Sequence, residues 1–524
     1  MNLGRFVSRS AHYWPERPAI IFADRHITFA ELDARSSRLA NALLGLGLQK
    51  GDRVAVQSWN RPELIELETA LYKSGLVKVA LNARLSDDEV LETLRNAEPT
   101  VLISGPAHAD SLHALADAVP SVHHRILFGG TDGTDGTDAR YLDYELMLSR
   151  AAATNPDQEL VDSDLAVLHY TSGSTGKLKS AMQTMGNRMA SLRKVLTGRM
   201  RVNPGDVLSL AGPITHASGM FIQPFLSQGG TILLHERFDP AGFLESVAKH
   251  CVTHTFVVPT MINMLLAVED RARFDLSTLR SMTYGSAPMA PARIVEAWHA
   301  FGPILSQGYG AGETTGGLVA LTIDDHREAI ELGKPERLAS CGRPFSEAQV
   351  CLVDDAGQKV PAGEIGEIVI AGPDVFAGYW REPEMTTAAL QDGWLHTGDL
   401  ARADDRGYLY IVDRKKDMII SGGFNVYPAE IETVLYQHPA VYEACVVGVP
   451  DPTWGESVKA VVVLREGSSA HANDLIQHCA ERLADFKKPR SIDVVAELPK
   501  NANGKLSRKA VREAFWQGHD RRVA

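Results

Sequence analysis

The stretch that decides the fold is LAVLHYTSGSTGKLKS, residues 165–180. Its first four residues are apolar and predict a buried strand. The seven residues from Thr171 to Lys177 then combine hydroxyl side chains, two glycines and a lysine. Backbone N–H groups of a glycine-rich turn can converge on an anion, and hydroxyl groups add donors without bulk. The stretch therefore predicts a phosphate-binding loop after a buried strand, with a flexible linker as the less favoured alternative.

This loop differs from the familiar nucleotide-binding loop GxxxxGK[ST] at two positions. Thr171 stands where that motif has its first glycine, and Leu178 stands where it has a Ser or Thr. The missing hydroxyl matters because in that motif it binds Mg²⁺. The sequence therefore disfavours a kinase-type or GTPase-type site, but it does not disfavour phosphate binding.

Composition limits the classes of protein that the chain can belong to. Its 524 residues are 44% hydrophobic and 23% charged, which predicts more than one globular domain. A net charge of −12 disfavours broad attraction to nucleic acid or to an anionic membrane. The five cysteines form no CxxC pair, so a zinc site or a disulfide framework has little support. Without a signal-like segment or a long apolar run, we expect a cytoplasmic protein with no transmembrane segment.

Residues 50–105 alternate between strand and helix signals. Strands are predicted at 53–58, 76–81 and 101–104. Asn60 is predicted to cap the first helix between them, and Ser86 with Glu89 is predicted to form a capping box on the second. Asn187 is predicted to cap a further helix after the glycine-rich loop. Such alternation implies a parallel sheet covered by helices.

Later segments change character along the chain. The strand–helix alternation resumes over residues 203–310, whereas residues 341–412 read as short strands between glycine-rich turns. The last 110 residues predict a small α+β unit, and the charged run DRKKD at 413–417 is the expected linker. The fold class is thus α/β, with α/β subdomains and a small β subdomain in a large N-terminal domain, residues 1–413, and a smaller α+β C-terminal domain, residues 414–524.

Five segments, in this order, resemble the adenylate-forming superfamily of acyl-CoA synthetases, nonribosomal adenylation domains and firefly luciferase. They are YTSGSTGKLK (170–179), SQGYGAGETTG (306–316), GWLHTGD (393–399), YIVDRKKDMIISGGFNVYPAEIE (410–432) and LPKNANGK (498–505). The resemblance runs from about residue 15 to 515, and it is strongest to CoA ligases of fatty or aromatic acids.

This resemblance implies a reaction and its cofactors. The expected activity is ATP-dependent ligation of a carboxylic acid to CoA through an acyl-adenylate, with ATP, Mg²⁺ and CoA as cofactors. No charged residue stands out for a second carboxyl or an amino group, which favours an apolar acid, fatty or aromatic. Two alternatives stay open: a stand-alone adenylation enzyme that loads an acyl carrier protein, and a catalytically impaired nucleotide-binding paralogue. A homodimer is possible, and no nucleic-acid partner is expected.

The resemblance also implies roles for individual residues in adenylation. Glu313 would hold Mg²⁺, Lys505 would bridge the substrate carboxylate and the α-phosphate, and His216 would meet the carboxylate and gate the acyl pocket. Tyr309 would stack on adenine, while Asp399 and Arg414 would reach the ribose. The full set of implied ATP-binding residues is Thr171, Ser172, Gly173, Ser174, Thr175, Gly176, Lys177, Gly285, Ser286, Ala287, Gly308, Tyr309, Gly310, Asp399, Ile411 and Arg414.

Thioester formation is implied to need a rotation of the C-terminal domain. In the superfamily this mobile domain first presents the catalytic lysine and then turns its opposite face to the site. Lys416 matches the hinge position of that rotation. The residues implied to contact CoA are Gly422 and Gly423, which would line the pantetheine tunnel, and Phe486, Lys488 and Arg490.

The chain departs from the superfamily pattern in both motifs that would surround the phosphates. Leu178, Ser180 and Met185 replace a proline, a glycine and a histidine, and Gly312 replaces a threonine that would reach the α-phosphate. Thr314 is adjacent and is a candidate to supply the missing hydroxyl. These departures motivate the impaired alternative, but the retained lysines, carboxylates and arginine favour an active enzyme.

Overall fold

The computed structural model describes residues 2–129, 140–156, 158–172, 178–198, 200–345, 347–500 and 506–517. The chain divides into two compact units. The first contains Met1–Gln349 and Ala371–Gly393, and the second contains Val350–Ile370 and Trp394–Ala524.

Strands β1 to β26 in the described residues are, in chain order, Pro18–Phe22, Arg25–Thr28, Arg53–Gln57, Val77–Leu81, Val101–Ser104, His124–Leu127, Leu142–Asp143, Leu165–Ser172, Leu178–Thr184, Val207–Leu210, Thr231–Leu234, His254–Val257, Ser281–Gly285, Leu305–Ala311, Gly316–Leu321, Arg343–Pro344, Gln349–Val353, Ile365–Ala371, Leu390–Gln391, Trp394–Ala403, Leu409–Arg414, Ile419–Ser421, Phe424–Val426, Val441–Asp451, Gly455–Leu464 and Ser491–Val494.

Helices α1 to α16 in the same residues are Gly4–Tyr13, Phe29–Gly45, Pro62–Ser74, Asp87–Ala97, Ala109–Ala116, Tyr144–Arg150, Met185–Gly198, Ile222–Ser227, Pro240–Lys249, Pro259–Leu266, Pro291–Phe301, Ile323–Glu331, Pro383–Ala389, Pro428–Tyr436, Ala472–Ala480 and Arg508–Trp516. Short 3₁₀ helices lie at Pro106–His108, Ala217–Phe221, Arg271–Arg273 and Pro335–Ala339.

Two mostly parallel sheets form the first unit. One has the strand order β16-β15-β14-β13-β12-β10-β11-β1-β2, and the other has the order β7-β6-β5-β3-β4-β8-β9. Strands β10 to β14 pair in parallel, as do β3, β4, β5 and β8, whereas β9 and β15 run antiparallel to their neighbours β8 and β14. The predicted parallel α/β architecture is confirmed.

A shared core joins the two sheets. It contains Val54 and Val56 of β3, Leu208 and Leu210 of β10, and Leu67 of α3. These strands read as nearly continuous apolar runs because both of their faces are covered.

Helix α3 is buried along its whole length, including its charged residues. Glu66 accepts from Arg35 at 2.7 Å, and Lys73 donates to Asp33 at 2.6 Å. An uncompensated buried charge would destabilise the fold by about 3–5 kcal/mol, so these pairs explain how a helix with so many charges can lie in the core.

The predicted cap at Asn60 is wrong. Helix α3 begins at Pro62 with Arg61 as its N-cap, and no side chain caps it. The amide of Asn60 instead donates to the carbonyl oxygens of Gly212 and His235, at 2.9 and 3.0 Å. The side chain thus ties this turn to the ends of strands in the other sheet, a long-range role that local sequence cannot indicate.

The predicted cap at Asn187 is also wrong, by three residues. Thr184 precedes helix α7, and its N–H donates to Asn187 Oδ1 at 2.9 Å while the Asn187 N–H donates back to Thr184 Oγ1 at 3.2 Å. The Asn187 amide also donates to the carbonyls of Pro373 and Val375, both at 2.8 Å. The capping box of Ser86 is confirmed.

The second unit combines two small sheets with helices. One sheet contains strands β17, β18, β20 and β21. The other has the strand order β23-β22-β25-β24, with β26 beside β25. Helices α14 and α15 pack on the second sheet around Ile431, Leu435, Leu475 and Cys479. The predicted smaller α+β C-terminal part is confirmed.

Helix α13, which belongs to the first unit, is an element that the prediction of strands over 341–412 missed.

The predicted domain boundary after residue 413 stays a prediction. Compactness groups residues 350–370 and 394–413 with the C-terminal residues rather than with the first unit, but compactness does not locate a pivot. Among the residues that the structure describes, no helix is long and apolar enough to cross a membrane.

Candidate active site

The glycine-rich loop lies between two paired strands of the first unit. Strand β8 ends at Ser172 and strand β9 begins at Leu178, and these two residues are register partners in an antiparallel pair. The two ends of the predicted phosphate loop are therefore held side by side. Residues 173–177, including Lys177, lie outside the described part of the chain, so their predicted role stays a prediction.

Residues 374–380, here called the bridging segment, run along the strand that leaves this loop. The Ala377 N–H donates to the Met182 carbonyl at 2.9 Å, and the Trp380 N–H donates to the Ser180 carbonyl at 2.9 Å. The bridging segment therefore pairs with the outer edge of strand β9. Its side chains are held close to Leu178, where the predicted phosphate loop ends.

The bridging segment holds the predicted metal ligand. Glu313 lies in the turn between β14 and β15, and the Tyr379 hydroxyl donates to its Oε1 at 2.8 Å. The Phe376 N–H donates to the Glu313 carbonyl at 2.8 Å. Burial and the nearby carboxylate raise the pKa of Tyr379 above its ordinary value, so the phenol stays protonated and keeps donating. The Lys179 Nζ lies 5.2 Å from the centre of the Tyr379 ring.

A magnesium ion fits Glu313 only as one ligand among several. In the described ranges, no group of three or more His, Cys, Asp and Glu side chains gathers where it could hold a metal. Mg²⁺ is commonly bound through one or two carboxylates together with substrate phosphates. Glu313, oriented by Tyr379, has the carboxylate that such a shared site would require.

The predicted adenine-binding loops meet at the ends of parallel strands. Gly285 of β13 and Gly308 of β14 are register partners, and a Cβ on Gly285 would lie 2.5 Å from the Gly308 carbonyl oxygen. A Cβ on Gly310 would lie 2.2 Å from the Gly316 carbonyl oxygen. Because side chains do not fit at these two positions, the glycines of both motifs are required by the close approach of backbones.

The residues that follow these glycines face the same edge of the sheet. Ser286 adopts a left-handed conformation with φ of 68°, and it leads into Ala287 beyond the end of β13. Tyr309 is half-buried in β14. Ligands in α/β proteins bind at the carboxyl ends of the strands, so the structure brings these predicted residues together where a nucleotide is expected.

Thr314 does not supply the hydroxyl that Gly312 lacks, and this prediction is wrong. The Thr314 side chain accepts from the Ala311 N–H at 2.8 Å and donates to the Gly316 carbonyl at 2.8 Å. Thr314 is 1% exposed, so its hydroxyl is buried and forms its hydrogen bonds within the turn. The Gln183 amide donates to the Gly312 carbonyl at 2.9 Å, which fixes the backbone at the substituted position.

His216 pairs with a second histidine that the sequence did not single out. Its Nδ1 lies 3.0 Å from Thr215 Oγ1, and its ring packs edge-on against His169 with centroids 5.7 Å apart. Burial, with further contributions from His216 and the cations of Arg188 and Lys78, lowers the pKa of His169 to about 3. His169 is therefore neutral at physiological pH. Its position directly before the tyrosine of the loop motif was the only sequence signal that could have drawn attention to it.

The second unit carries the two residues implied to bind ribose. Asp399 of β20 and Arg414 of β21 are register partners, and the Arg414 Nε donates to Asp399 Oδ1 at 3.1 Å. The Asp399 side chain is mostly buried, whereas the Arg414 side chain is 59% exposed. Ile411 lies on the same strand with its apolar side chain exposed. The structure thus brings together the residues that two separate motifs contributed.

The implied pantetheine glycines form the tight turn of the β22–β23 hairpin. Gly422 and Gly423 have φ of 58° and 84°, in the left-handed region that favours glycine. A Cβ on Gly422 would lie 2.5 Å from the Trp454 ring. The Arg490 guanidinium lies 4.9 Å from the centre of the same ring. Trp454 therefore lies beside both Gly422 and Arg490, two residues predicted to contact CoA.

An exposed aromatic patch surrounds this turn. Phe486 packs against Phe424 with ring centroids 4.8 Å apart, and Phe424, Trp454 and Phe486 are all exposed. Lys488, by contrast, pairs with Asp485 at 2.5 Å. Sequence reasoning missed Trp454 and Phe424. Their signal was an aromatic residue beside a glycine turn, which is weak without the fold.

The predicted linker is anchored within the second unit at its first residue. Asp413 accepts from the Ala429 N–H at 2.8 Å and from Arg508 at 3.2 Å. Arg508 also donates to both oxygens of Glu432 at 2.7 Å. Lys416 lies in the turn after β21. Lys505, three residues before Arg508, lies outside the described residues.

Comparison with known proteins identifies the family of the chain. Residues 7–380 match the family described as AMP-binding enzyme, and residues 430–505 match the AMP-binding enzyme C-terminal domain. The chain is 39% identical over 516 residues to a feruloyl-CoA synthase of Amycolatopsis, covering 98% of this chain and 99% of the relative. It is 36% identical over 521 residues to the medium/long-chain-fatty-acid–CoA ligase FadD8 of Mycobacterium tuberculosis, covering 97% and 89%.

A solved structure has the same fold. The amide bond synthetase McbA from Marinactinospora thermotolerans superposes with a TM-score of 0.88 at 31% identity, covering 98% of this chain and 99% of that one. The chain belongs to the AMP-binding enzyme family, within the adenylate-forming superfamily. As the sequence predicted, it is an AMP-forming acid–thiol ligase, and the cofactors of this class are ATP, Mg²⁺ and CoA.

The contact between Tyr379 and Glu313 leads to a first prediction. Replacement of Tyr379 by Phe removes the hydroxyl that orients the carboxylate while it keeps the ring. We expect the Mg²⁺ concentration that gives half-maximal adenylation to rise about tenfold, because partners behind a metal ligand typically contribute that much affinity. Acid-dependent ATP–pyrophosphate exchange across a Mg²⁺ titration measures this.

Tyr410→Phe is a matched control, since the Tyr410 hydroxyl donates to Asp404 Oδ2 at 3.2 Å in the second unit. It should leave the Mg²⁺ dependence unchanged. A Tyr379→Phe enzyme that loses rate equally at every Mg²⁺ concentration would show that the tyrosine does not act through the metal ligand.

Proposed function

We propose that the protein is an ATP-dependent carboxylic acid:CoA ligase that acts on an apolar acid, fatty or aromatic, through an acyl-adenylate. Relatives at 39% and 36% identity are named for feruloyl-CoA and for medium- and long-chain fatty acyl-CoA formation. Both substrates are carboxylic acids with an extended, largely apolar body, which agrees with the chemistry expected from the sequence.

One observation carries the proposal. The bridging segment pairs with the strand that leaves the phosphate loop, and its Tyr379 holds the Glu313 carboxylate at 2.8 Å. The segment that orients Glu313 is thereby held to the strand that begins where the predicted phosphate-binding loop ends, which supports a shared site for phosphate and metal. This is the arrangement that attack on a nucleotide phosphate requires, because negative charge increases there during the reaction.

The chemistry proceeds in two displacements. A carboxylate oxygen of the acid attacks the α-phosphorus, a new oxygen–phosphorus bond forms, and the bond to the β-phosphate breaks so that pyrophosphate leaves. The CoA sulfur, as the thiolate, then attacks the acyl carbon, a carbon–sulfur bond forms, the bond from the acyl carbon to the oxygen shared with AMP breaks, and AMP departs with that oxygen. Bound Mg²⁺ would neutralise phosphate charge during the first step.

The residues of the chain have separate tasks in these displacements. Glu313, held by Tyr379, would fix the metal. His216, beside the neutral His169, would orient the acid with an imidazole edge. Lys505 would supply the positive charge between carboxylate and α-phosphate, and its delivery by a mobile C-terminal domain that pivots at Lys416 is part of the proposal.

CoA is the proposed acceptor of the acyl group. The similarity to an amide bond synthetase of the same fold favours testing acceptors other than CoA, including a holo acyl carrier protein. Incubation with ATP and an acid, followed by parallel addition of CoA, holo-carrier protein or a simple amine, separates the cases. The proposal requires CoA thioester as the fastest product, and a preference for either other acceptor overturns it.

A panel of carboxylic acids is the general test. Saturated fatty acids of increasing length and benzoic, phenylacetic and cinnamic acids would be assayed with CoA for AMP release. We expect at least one apolar acid to be turned over. ATP–pyrophosphate exchange with none of them would favour the impaired paralogue. A cytoplasmic location and a homodimer remain predictions.

The exposed Trp454 leads to a second prediction. Trp454→Ala removes the ring beside Gly422 and Arg490, and all three residues belong to the second unit. We expect the KM for CoA to rise about tenfold, since stacking of a base on an aromatic side chain contributes about 1–3 kcal/mol, while ATP–pyrophosphate exchange stays unchanged. Steady-state kinetics with varied CoA measure this.

Tyr442→Ala is the control for this substitution, because Tyr442 is an aromatic residue of the same unit that is 56% exposed on β24. It should alter neither reaction. An unchanged KM for CoA in the Trp454→Ala enzyme would remove the aromatic patch from the proposed CoA site.

A further inference from the structure

The turn that carries Glu313 is held by three different parts of the first unit. The carbonyls of residues 312–314 accept, in order, from the Gln183 amide of β9 at 2.9 Å, from the Phe376 N–H of the bridging segment at 2.8 Å and from the Lys194 ammonium of helix α7 at 2.9 Å. Of these three donors, only Lys194 carries a charge. Its side chain is 2% exposed, and no motif quoted from the sequence contains it.

The same ammonium group also binds the bridging segment. Lys194 Nζ donates to Asp374 Oδ2 at 2.8 Å, and the Asp374 side chain is 2% exposed. The Asp374 backbone is bound to the turn as well, since the Thr315 hydroxyl donates to the Asp374 carbonyl at 2.8 Å. A lysine ammonium has three donors and no acceptor. One buried side chain therefore fixes two segments that are far apart in the sequence.

Helix α7 turns one face toward these segments. Asn187, Ser191 and Lys194 are buried, and their spacing of four and three residues places them on the same side of a helix. The Asn187 amide donates to the carbonyls on both sides of Asp374, each at 2.8 Å, and a Cβ on Gly316 would lie 3.9 Å from Ser191 Oγ. Because helix α7 follows β9 directly, this face connects the strand that begins at the end of the predicted phosphate loop with the turn that carries the predicted metal ligand.

Stability alone does not account for the buried ion pair. Removing two charges from water costs about as much free energy as their attraction returns, so apolar residues of similar volume often replace such a pair without loss of stability. An apolar side chain at position 194 could not, however, donate to the Thr314 carbonyl. What the pair adds is therefore a defined position for the turn and for Asp374 relative to helix α7.

We propose that Lys194 is a positioning residue of the metal site. By binding the turn and the bridging segment to helix α7, it sets the position from which the Glu313 carboxylate meets Mg²⁺ and the phosphates of ATP. It acts through the Thr314 carbonyl and through Asp374, not on the substrate. This inference rests on the proposed function, in which Glu313 holds the metal, and it adds to that function a side chain from outside every recognised motif.

The test removes both charges, because Lys194→Met alone would leave the Asp374 carboxylate buried without its partner. In the double variant Lys194→Met/Asp374→Asn, we expect the Mg²⁺ concentration for half-maximal ATP–pyrophosphate exchange to rise about tenfold, the usual effect of losing a group that orients a metal ligand. The rate at saturating Mg²⁺ should fall much less. An acid from the panel that supports exchange serves as the substrate.

A binding measurement checks the same point without turnover. Calorimetry with the non-hydrolysable analogue α,β-methylene-ATP would be run once with Mg²⁺ and once with EDTA, and no acid is needed. We expect the gain in affinity that Mg²⁺ provides to be about tenfold smaller in the double variant, and the affinity in EDTA to equal that of the wild type. A merely structural role would weaken binding under both conditions.

Arg193→Met is the matched control, since Arg193 is on the same helix and forms an exposed ion pair with Glu347 at 3.2 Å. It should leave both measurements unchanged. Asp374→Asn alone is a milder variant for the case that the double variant does not fold. Its amide oxygen can still accept from Lys194, so we expect the half-saturating Mg²⁺ concentration to rise only about threefold, as the hydrogen bond loses its charged acceptor.

The Glu313→Gln background separates positioning from general structural support. If Lys194 acts through Glu313, the double variant placed in that background should show little further loss. Losses that add fully, equal losses at every Mg²⁺ concentration, or an analogue affinity that does not depend on Mg²⁺ in the wild type would each overturn the inference. Failure of the proposed function looks different, since no acid would then support exchange although the calorimetric comparison could still be made.

Discussion

Replacement of Lys505 by Ala is expected to reduce acyl-adenylate formation about 100- to 1000-fold, the usual effect of removing a preorganised charge from a developing transition state. Conversion of a supplied acyl-adenylate to the CoA thioester should stay close to the wild-type rate. The reason is that the lysine is expected to act only in the domain orientation used for the first displacement. ATP–pyrophosphate exchange measures the first reaction, and thioester release from synthetic acyl-adenylate measures the second.

Lys509→Ala is a suitable control for this experiment. Lys509 is on helix α16, four residues after Lys505, and its side chain forms an exposed ion pair with Glu513 at 3.4 Å. Exposed pairs of this kind contribute little to stability, so both half-reactions should be unaffected. If Lys505→Ala slowed both half-reactions equally, the assignment of the lysine to adenylation alone would be wrong.

Replacement of Glu313 by Gln is expected to have a comparable effect by a different route. The amide keeps the size of the side chain and can still accept from Tyr379, but it carries no charge for Mg²⁺. Loss of that ligand should reduce adenylation about 100-fold at physiological Mg²⁺ and should be partly reversed by a large excess of the ion. Exchange assays over a wide Mg²⁺ range measure both effects.

Glu331→Gln is the control for the loss of one negative charge, because Glu331 is exposed at the end of helix α12. Combining Glu313→Gln with Tyr379→Phe tests whether the two side chains act together. If the tyrosine acts through the carboxylate, the double variant should be little worse than Glu313→Gln alone. Fully additive losses would contradict the link that carries the proposed function.

The corrected caps show the limit of local patterns. Asn60 and Asn187 both stand where an N-cap is favoured, yet the first bonds to carbonyls of the other sheet and the second occupies the third position of its helix. An amide has four hydrogen-bonding positions, and which of them a helix uses depends on what else lies within reach. Sequence can rank a residue as a cap but cannot exclude a distant partner.

The same limit applies to Thr314. From the sequence it was the nearest hydroxyl to the position where Gly312 replaces a threonine. In the fold its side chain closes the turn between Ala311 and Gly316 and is buried. Adjacency along the chain therefore did not translate into access to the site.

The sequence alone determined the family, the order of the motifs and the parallel architecture. These are encoded locally: apolar runs predict buried strands, glycines mark turns and close approaches, and hydroxyl, carboxylate and lysine side chains bring their own chemistry. Gly285, Gly310 and Gly422 were singled out or lie within quoted motifs for this reason, and the structure explains each by a contact that only glycine permits.

Only the tertiary structure decided which side chains support the site. Tyr379 reaches Glu313 across 66 residues of sequence, and Lys194 joins Thr314 to Asp374 although the three lie in different segments. Such contacts depend on which strands become neighbours and on how the helices between them pack. No local pattern contains that information, because the free energy of a buried polar contact is set by everything that surrounds it.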